Sequence, residues 1–281
     1  MSEIMDETPP GPEPSGTSGE PFKLPDVAKI GLDAPFSWLA GGWRDFTCAP
    51  LPCLIYGIAL AAASAAIGWA LVFSGQFAWV FVLAGGFLIV GPMLAMGLYE
   101  AGRQIEHGEE PSFSEMALVK GAFRIDLAYL GVALFLVYLL WTRIAQIVYA
   151  LSTSSLHRTP MDFLEFMFTT PEGLSMAATG TVIGAIIAFL AYMLVVVSAP
   201  MMLDRKRDVF IATITSIRAV TSNVLPMALW AIIIAVLTAI GIATAFFGLI
   251  IVFPVIGLAS WRAYRALVPN EEPAPAEAGA A

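Results

Sequence analysis

The sequence predicts an all-α, polytopic transmembrane helix bundle of six spans, built as three units that each join an interface helix to a helical hairpin. Hydrophobic residues make up 58% of the 281, charged residues only 13%, and the mean hydropathy is +0.80, against roughly 25% charged residues in a soluble domain. Apolar runs long enough to cross a ~30 Å hydrocarbon core recur along the chain. Lysine and arginine gather in alternate connecting segments, as the positive-inside rule requires of a polytopic protein.

The elements follow in order. Residues 1–22 carry five acidic residues and no basic one among Pro, Gly, Ser and Thr, and 269–281 carry three acidic and no basic. Such segments bury too little apolar surface to order themselves and read as disordered tails. The membrane domain, 23–268, then balances at 14 acidic and 14 basic residues. The pI of about 4.7 therefore comes from the tails, and no nucleic-acid partner is expected. The opening MSEIMDE lacks the basic start of a cleavable signal, so the first span doubles as the insertion signal.

Spans are expected at about 51–73, 77–99, 127–150, 177–203, 225–244 and 246–265. The last two come from one uncharged run of 37 residues, 225–261, which as a single helix would be ~55 Å long. It is therefore broken near Gly241–Gly248. Lys23, Lys29 and Arg44 precede the first span; Arg103, Lys120 and Arg124 lie in the second loop; Arg205, Lys206, Arg207 and Arg218 lie in the fourth; Arg262 and Arg265 end the chain's last helix. With six spans these all fall on one side, so both termini are expected in the cytoplasm.

A short amphipathic segment precedes each odd-numbered span. The first carries Phe36, Leu39, Trp43 and Phe46; the second opens with a Ser112/Glu115 capping box followed by Met116, Val119 and Phe123; the third carries Phe210, Ile214, Ile217 and Thr221. Arg44, Thr47, Leu51 and Pro52 recur as Arg218, Thr221, Leu225 and Pro226. Even-numbered spans share a proline, Pro92, Pro200 or Pro254. A proline removes a backbone hydrogen bond and bends a membrane helix, so these positions are candidates for a pathway between the hairpins.

Other candidates carry competing readings. Arg143 is the one charge away from a span's end, and it is either a functional intramembrane residue partnered by Asp162 or Glu165, or a side chain ~10 Å from the helix end that snorkels to the headgroups. Glu100, Arg103, Gln104 and His107 share one helical face beyond the second span. They form either a solvated salt-bridged face or, with Arg44 and Asp204, a cytoplasmic-face cluster. Gly180, Gly184 and Ala188 make a small-residue ridge, as do Gly57, Ala61 and Ala65, and such ridges mark close helix contacts within or between subunits. The third loop, MDFLEFMFTTPEGL, is expected to form a short interfacial helix, either passive or a lid, with Thr170 capping the fourth span and Pro171 in its first turn. Cys48 and Cys53 are small apolar fillers, since their spacing makes neither a disulfide framework nor a metal site. His107 and His157 lie outside the spans, so no haem or copper centre is expected in the bundle. No nucleotide or hydrolase motif stands in a suitable setting.

The segments GWRDF and APLP (42–52), GPMLAMGLYEAGRQIEHGEEPS (91–112), TTPEGL (169–174), SAPMMLDRKRDV (198–209) and GLASWRAYRALV (257–268) together resemble a bacterial family of six-span integral membrane proteins classed as a domain of unknown function. The resemblance covers about 35–268 and implies a bacterial inner-membrane location. Some members are labelled cytochrome c oxidase subunit I, a label that the lack of histidine in these spans does not support. The expectation is a non-enzymatic scaffold or accessory protein without cofactor. Its partners would be the lipid bilayer and either a second copy of the chain or another membrane protein. The alternative is a transporter or channel for a small or lipid-like solute.

Overall fold

The computed structural model describes residues 24–119, 125–153, 159–205 and 208–269. Both tails, and the expectations placed on Lys23, Lys120, Phe123, Arg124, His157, Lys206 and Arg207, lie largely or wholly outside these residues. The described chain is all helix, with no strand among the described residues. The helices are α1 (Ala34–Cys48), α2 (Pro50–Phe73), α3 (Ala78–Leu94), α4 (Met96–Glu106), α5 (Phe113–Ala117), α6 (Ile125–Ser152), α7 (Pro160–Thr169), α8 (Pro171–Val195), α9 (Ser198–Arg205), α10 (Val209–Ser222), α11 (Val224–Ala243) and α12 (Leu249–Leu267).

Five helices are long and apolar enough to cross a membrane: α2, α6, α8 continued by α9, α11 and α12. A sixth forms if α3 and α4 count as one span, bent by 40° where they meet at Ala95. Between α11 and α12 the chain turns over residues 244–248, with Ala245 and Phe246 in the left-handed region (φ 52° and 72°). Large apolar side chains such as Phe73, Leu136, Leu151 and Val182 cover the outside of the bundle, which is where an integral membrane protein meets lipid.

Helix α12 is the central element. Two thirds of its apolar window is buried, 67%, against 17% for α2, and it packs on α1, α2, α4 and α11. Glycines bring its neighbours close. Gly57 of α2 meets the backbone oxygen of Ile250, which Pro254 leaves without an amide partner four residues on. In α1, a Cβ added to Gly42 would lie 2.7 Å from the backbone of Ala259. The small ridge of α2 is thus a seam inside the protomer, in which Gly57 and Ala61 are both buried.

Helices α1 and α10 precede their spans and expose part of their apolar face. The large apolar residues Phe36, Trp43 and Phe210 are more than half exposed, whereas Gly41, Gly42 and Asp45 of α1 and Ala212, Thr215 and Ser216 of α10 face the bundle. Trp38 and Phe46 of α1 are buried beside these small residues, so α1 offers the protein a mixed face of glycines and two aromatics. The helix ahead of α6, α5, has only five residues. Ser112 caps it, accepting from the Glu115 amide at 3.3 Å. The threefold relation among these units rests on the sequence alone.

Candidate functional site

Two regions concentrate what the helices position: a polar cluster at the end of the bundle where both ends of the described chain lie, and an apolar cavity toward the other end.

The polar cluster is organised by the last turns of α12. Trp261, Arg262, Tyr264 and Arg265 point around the helix and reach three different neighbours. Arg262 makes a bidentate pair with Asp45 of α1, Nε to Oδ2 and Nη2 to Oδ1, both at 2.5 Å. The side chain of Asp45 is 5% exposed. Trp261 Nε1 donates to Glu106 of α4 at 3.0 Å, and Arg265 pairs with the same carboxylate at 2.7 Å. The Tyr264 hydroxyl donates to Asp204 of α9 at 2.6 Å, and Arg265 reaches that carboxylate at 3.3 Å. Arg205 donates from Nε to the Tyr264 hydroxyl at 3.0 Å, and from Nη2 to the carbonyls of Val268 and Pro269 at 2.7 Å. Beside this network Glu100 and Arg103 pair at 2.6 Å, and the buried Gln104 donates to both Glu100 (3.1 Å) and Glu115 (2.8 Å).

The expected cytoplasmic-face residues are therefore divided. Glu100 and Arg103 form one pair, and Asp204 belongs to the neighbouring network. Arg44 is exposed and outside both. The acid that α1 contributes is the adjacent Asp45, because Gly41 and Gly42 turn that side of α1 against α12. The face of α4 is not wholly solvated either: Gln104 is buried, and His107 is exposed and bonds only the Arg103 carbonyl, at 2.7 Å. Sequence reasoning missed Asp45, Glu106, Arg262, Tyr264 and Arg265 as a set. The available signal was the occurrence of Gly-Gly three residues before an acid in α1 and of two arginines at i, i+3 in a helix that is otherwise apolar.

The cavity lies among α3, α6, α8 and α11 and has a volume of about 1090 Å³. Its lining runs along α8 from Met176 to Tyr192, ~24 Å of helix at ~1.5 Å per residue. Trp141 of α6 crosses it, with its ring against Gly85 and Gly184 and its Nε1 donating to the Val82 carbonyl at 2.8 Å. The Tyr192 hydroxyl donates to the Met227 carbonyl at 3.0 Å. Ile186, Leu190 and Ile232 both line the cavity and are more than half exposed, so it opens on the outer surface between α8 and α11. Helix α7 closes the end away from the polar cluster, packing Phe163 and Met167 on Met176. Thr170 caps α8, accepting from the Gly173 amide at 3.0 Å.

Along the small-residue ridge Gly180, Gly184 and Ala188, Gly184 packs closely on the Trp141 ring of α6 whereas Gly180 does not meet a neighbouring helix. All three line the cavity, and nothing stands within 4 Å of a Cβ built at Gly180. A GxxxG leaves room for whatever comes close, here an aromatic ring at one glycine and open space at the other. None of Pro92, Pro200 and Pro254 lines the cavity, and Pro200 and Pro254 are buried in the packed core. Arg143 is exposed on the outside of α6 and donates from Nη1 to Gln146 Oε1 at 3.1 Å. It pairs with neither Asp162 nor Glu165. No group of three metal-ligating side chains occurs among the described residues.

Residues 80–204 match the family described as "Predicted integral membrane protein (DUF2189)". The match takes in the cavity-lining parts of α3, α6 and α8 and the polar residues Glu100, Arg103 and Asp204, and leaves out α1 and α12. No curated protein and no solved structure matches the chain. With its run of apolar helices and this match, the chain is a multi-pass integral membrane protein similar, over residues 80–204, to a membrane-protein family of unknown function.

Proposed function

We propose that the protein is a non-enzymatic inner-membrane protein, with both termini in the cytoplasm, that acts by packing with lipid and holds hydrocarbon in the cavity among α3, α6, α8 and α11. The cavity carries this reading. Its lining is almost wholly apolar, and exposed lining residues such as Ile186, Leu190 and Ile232 open it to the surface of the bundle that meets lipid. Polar groups in the lining are few, and the indole and phenol groups at Trp141 and Tyr192 already donate to backbone carbonyls, so a water filling, which needs two to four polar partners per molecule, is disfavoured. Its ~24 Å length exceeds the ~15 Å of one leaflet's hydrocarbon. An acyl or isoprenoid chain fits both shape and polarity.

The polar cluster supports the non-enzymatic part. Its carboxylates and guanidinium groups pair with one another across α1, α4, α9 and α12, which suits a clamp between helices. The concentration of lysine and arginine in alternate segments supports cytoplasmic termini. A transporter of a lipid-like solute is the second reading, favoured by the seating of α7 over one end of the cavity.

The test is mass spectrometry of the chain extracted in native lipid discs. The expected result is lipid retained on the wild-type chain and lost from Gly180→Phe, whose Cβ has nothing within 4 Å and whose ring would take up cavity space. Equal retention by both would remove the cavity from the account. A stoichiometric protein, or a second copy, found without retained lipid would replace lipid packing with a scaffold role, and a retained water-soluble solute would replace it with transport.

A further inference from the structure

We infer that Arg143 is the headgroup contact of an anionic phospholipid, one of whose chains lies in the cavity past Gln146. The inference rests on the reading of the cavity as a lipid site and names the lipid that it takes. Arg143 is exposed on a membrane-spanning helix whose neighbouring surface residues, Leu136, Leu139, Leu140 and Ile147, are exposed and apolar. Among the described residues it pairs with no carboxylate, and its one side-chain partner is the neutral Gln146. A guanidinium in such surroundings is costly until it meets an anion, and at this face the available anions belong to lipid. Guanidinium matches phosphate in geometry, offering a planar fork of donors. Gln146 connects the two parts of the site: it lines the cavity, is only partly exposed, and accepts from Arg143 at 3.1 Å. A phosphate held at Arg143 therefore stands one side chain away from the cavity lining.

The experiment places the full chain in discs that contain equal amounts of phosphatidylglycerol and phosphatidylcholine with the same acyl chains, then identifies the lipids that stay bound. Wild type is expected to retain phosphatidylglycerol in roughly fivefold preference, the effect of one basic residue on one net anionic charge near a membrane surface. Arg143→Gln should abolish that preference, and Arg143→Lys should restore most of it. Gly180→Phe should lower the amount of bound lipid without making phosphatidylcholine the favoured species. A preference that survives Arg143→Gln, or no preference in wild type, overturns the headgroup assignment even if lipid is retained. Retention that survives Gly180→Phe overturns the cavity reading instead, so the two failures are distinct.

Discussion

At the scale of single residues, the structure separates glycines and charges that look alike in sequence. Gly57 faces the Ile250 backbone oxygen so closely that any Cβ must displace one of the two helices, whereas Gly180 faces open space. Gly57→Ala should therefore lower thermal stability, and Gly180→Ala should raise it by up to ~1 kcal/mol through helix propensity. Melting of both variants in the same lipid discs checks this, and a stabilised Gly57→Ala would mean that α2 and α12 are not in contact there. The Asp45–Arg262 pair is asymmetric too, since Asp45 is 5% exposed and Arg262 33%. Arg262→Met strands a buried carboxylate and should cost ~3 kcal/mol or more, while Asp45→Asn leaves a cation that water can still reach and should cost less. If unfolding measurements gave the opposite order, Asp45 would not be the buried partner. No local pattern tells Arg44 from Asp45 as the residue facing α12; only the glycines beside them do, and only once α12 is known to be the neighbour.

At the scale of elements, the helix breaks have a common chemistry. Where α3 bends into α4, the Leu98 amide turns to Ala95, and the Leu94 carbonyl accepts from the Tyr56 hydroxyl at 2.7 Å. Between α8 and α9 the Val197 amide donates to Ser216 Oγ at 3.1 Å. In the turn after α11, Thr244 donates to Gly241 and accepts from Gly248. A break in a membrane helix exposes backbone groups that lipid cannot satisfy, so side chains have to satisfy them. Tyr56→Phe should cost about 1 kcal/mol, read as a lower unfolding midpoint; no change would mean that the Leu94 carbonyl finds another donor. The spans themselves are legible because each needs only a long apolar run. A turn within 225–261 is legible because one helix of that length is too long for a bilayer. The partners of the breaks are not legible: Tyr56 and Ser216 lie 38 and 19 residues from the groups they satisfy, and sequence periodicity carries no information at that separation. The cavity is hidden for the same reason, since a small-residue ridge looks the same whether a helix or a lipid chain lies against it.

At the scale of the whole molecule, the two ends of the described chain are tied to the same end of the bundle. The extended segment before α1 runs across α10 and α12. The Ala28 amide donates to the Leu267 carbonyl at 2.9 Å, and Lys29 donates to the Ser222 carbonyl at 2.6 Å. Asn223 at the α10–α11 corner accepts from the Ile30 amide and donates to the Ala28 carbonyl, each at 3.0 Å. It also donates to Ala219 at 3.1 Å and is itself 5% exposed. Beside the Leu267 and Ser222 contacts, one buried amide thus meets two of the strap's backbone groups. Asn223→Ala leaves both without that partner, a loss of ~1–3 kcal/mol for groups out of reach of water. The loss is local, because the strap can lift while α12 stays clamped by Asp45, Glu106 and Asp204. Hydrogen exchange followed by mass spectrometry should show the amides of Ala28 and Ile30 exchanging about tenfold faster or more in Asn223→Ala, since ~1.4 kcal/mol corresponds to a factor of ten at 25 °C, with α6 and α12 protected as in wild type. Acceleration spread equally into α12 would mean that the strap and the polar cluster open as one unit, and unchanged exchange at Ala28 and Ile30 would mean that Asn223 does not hold the strap.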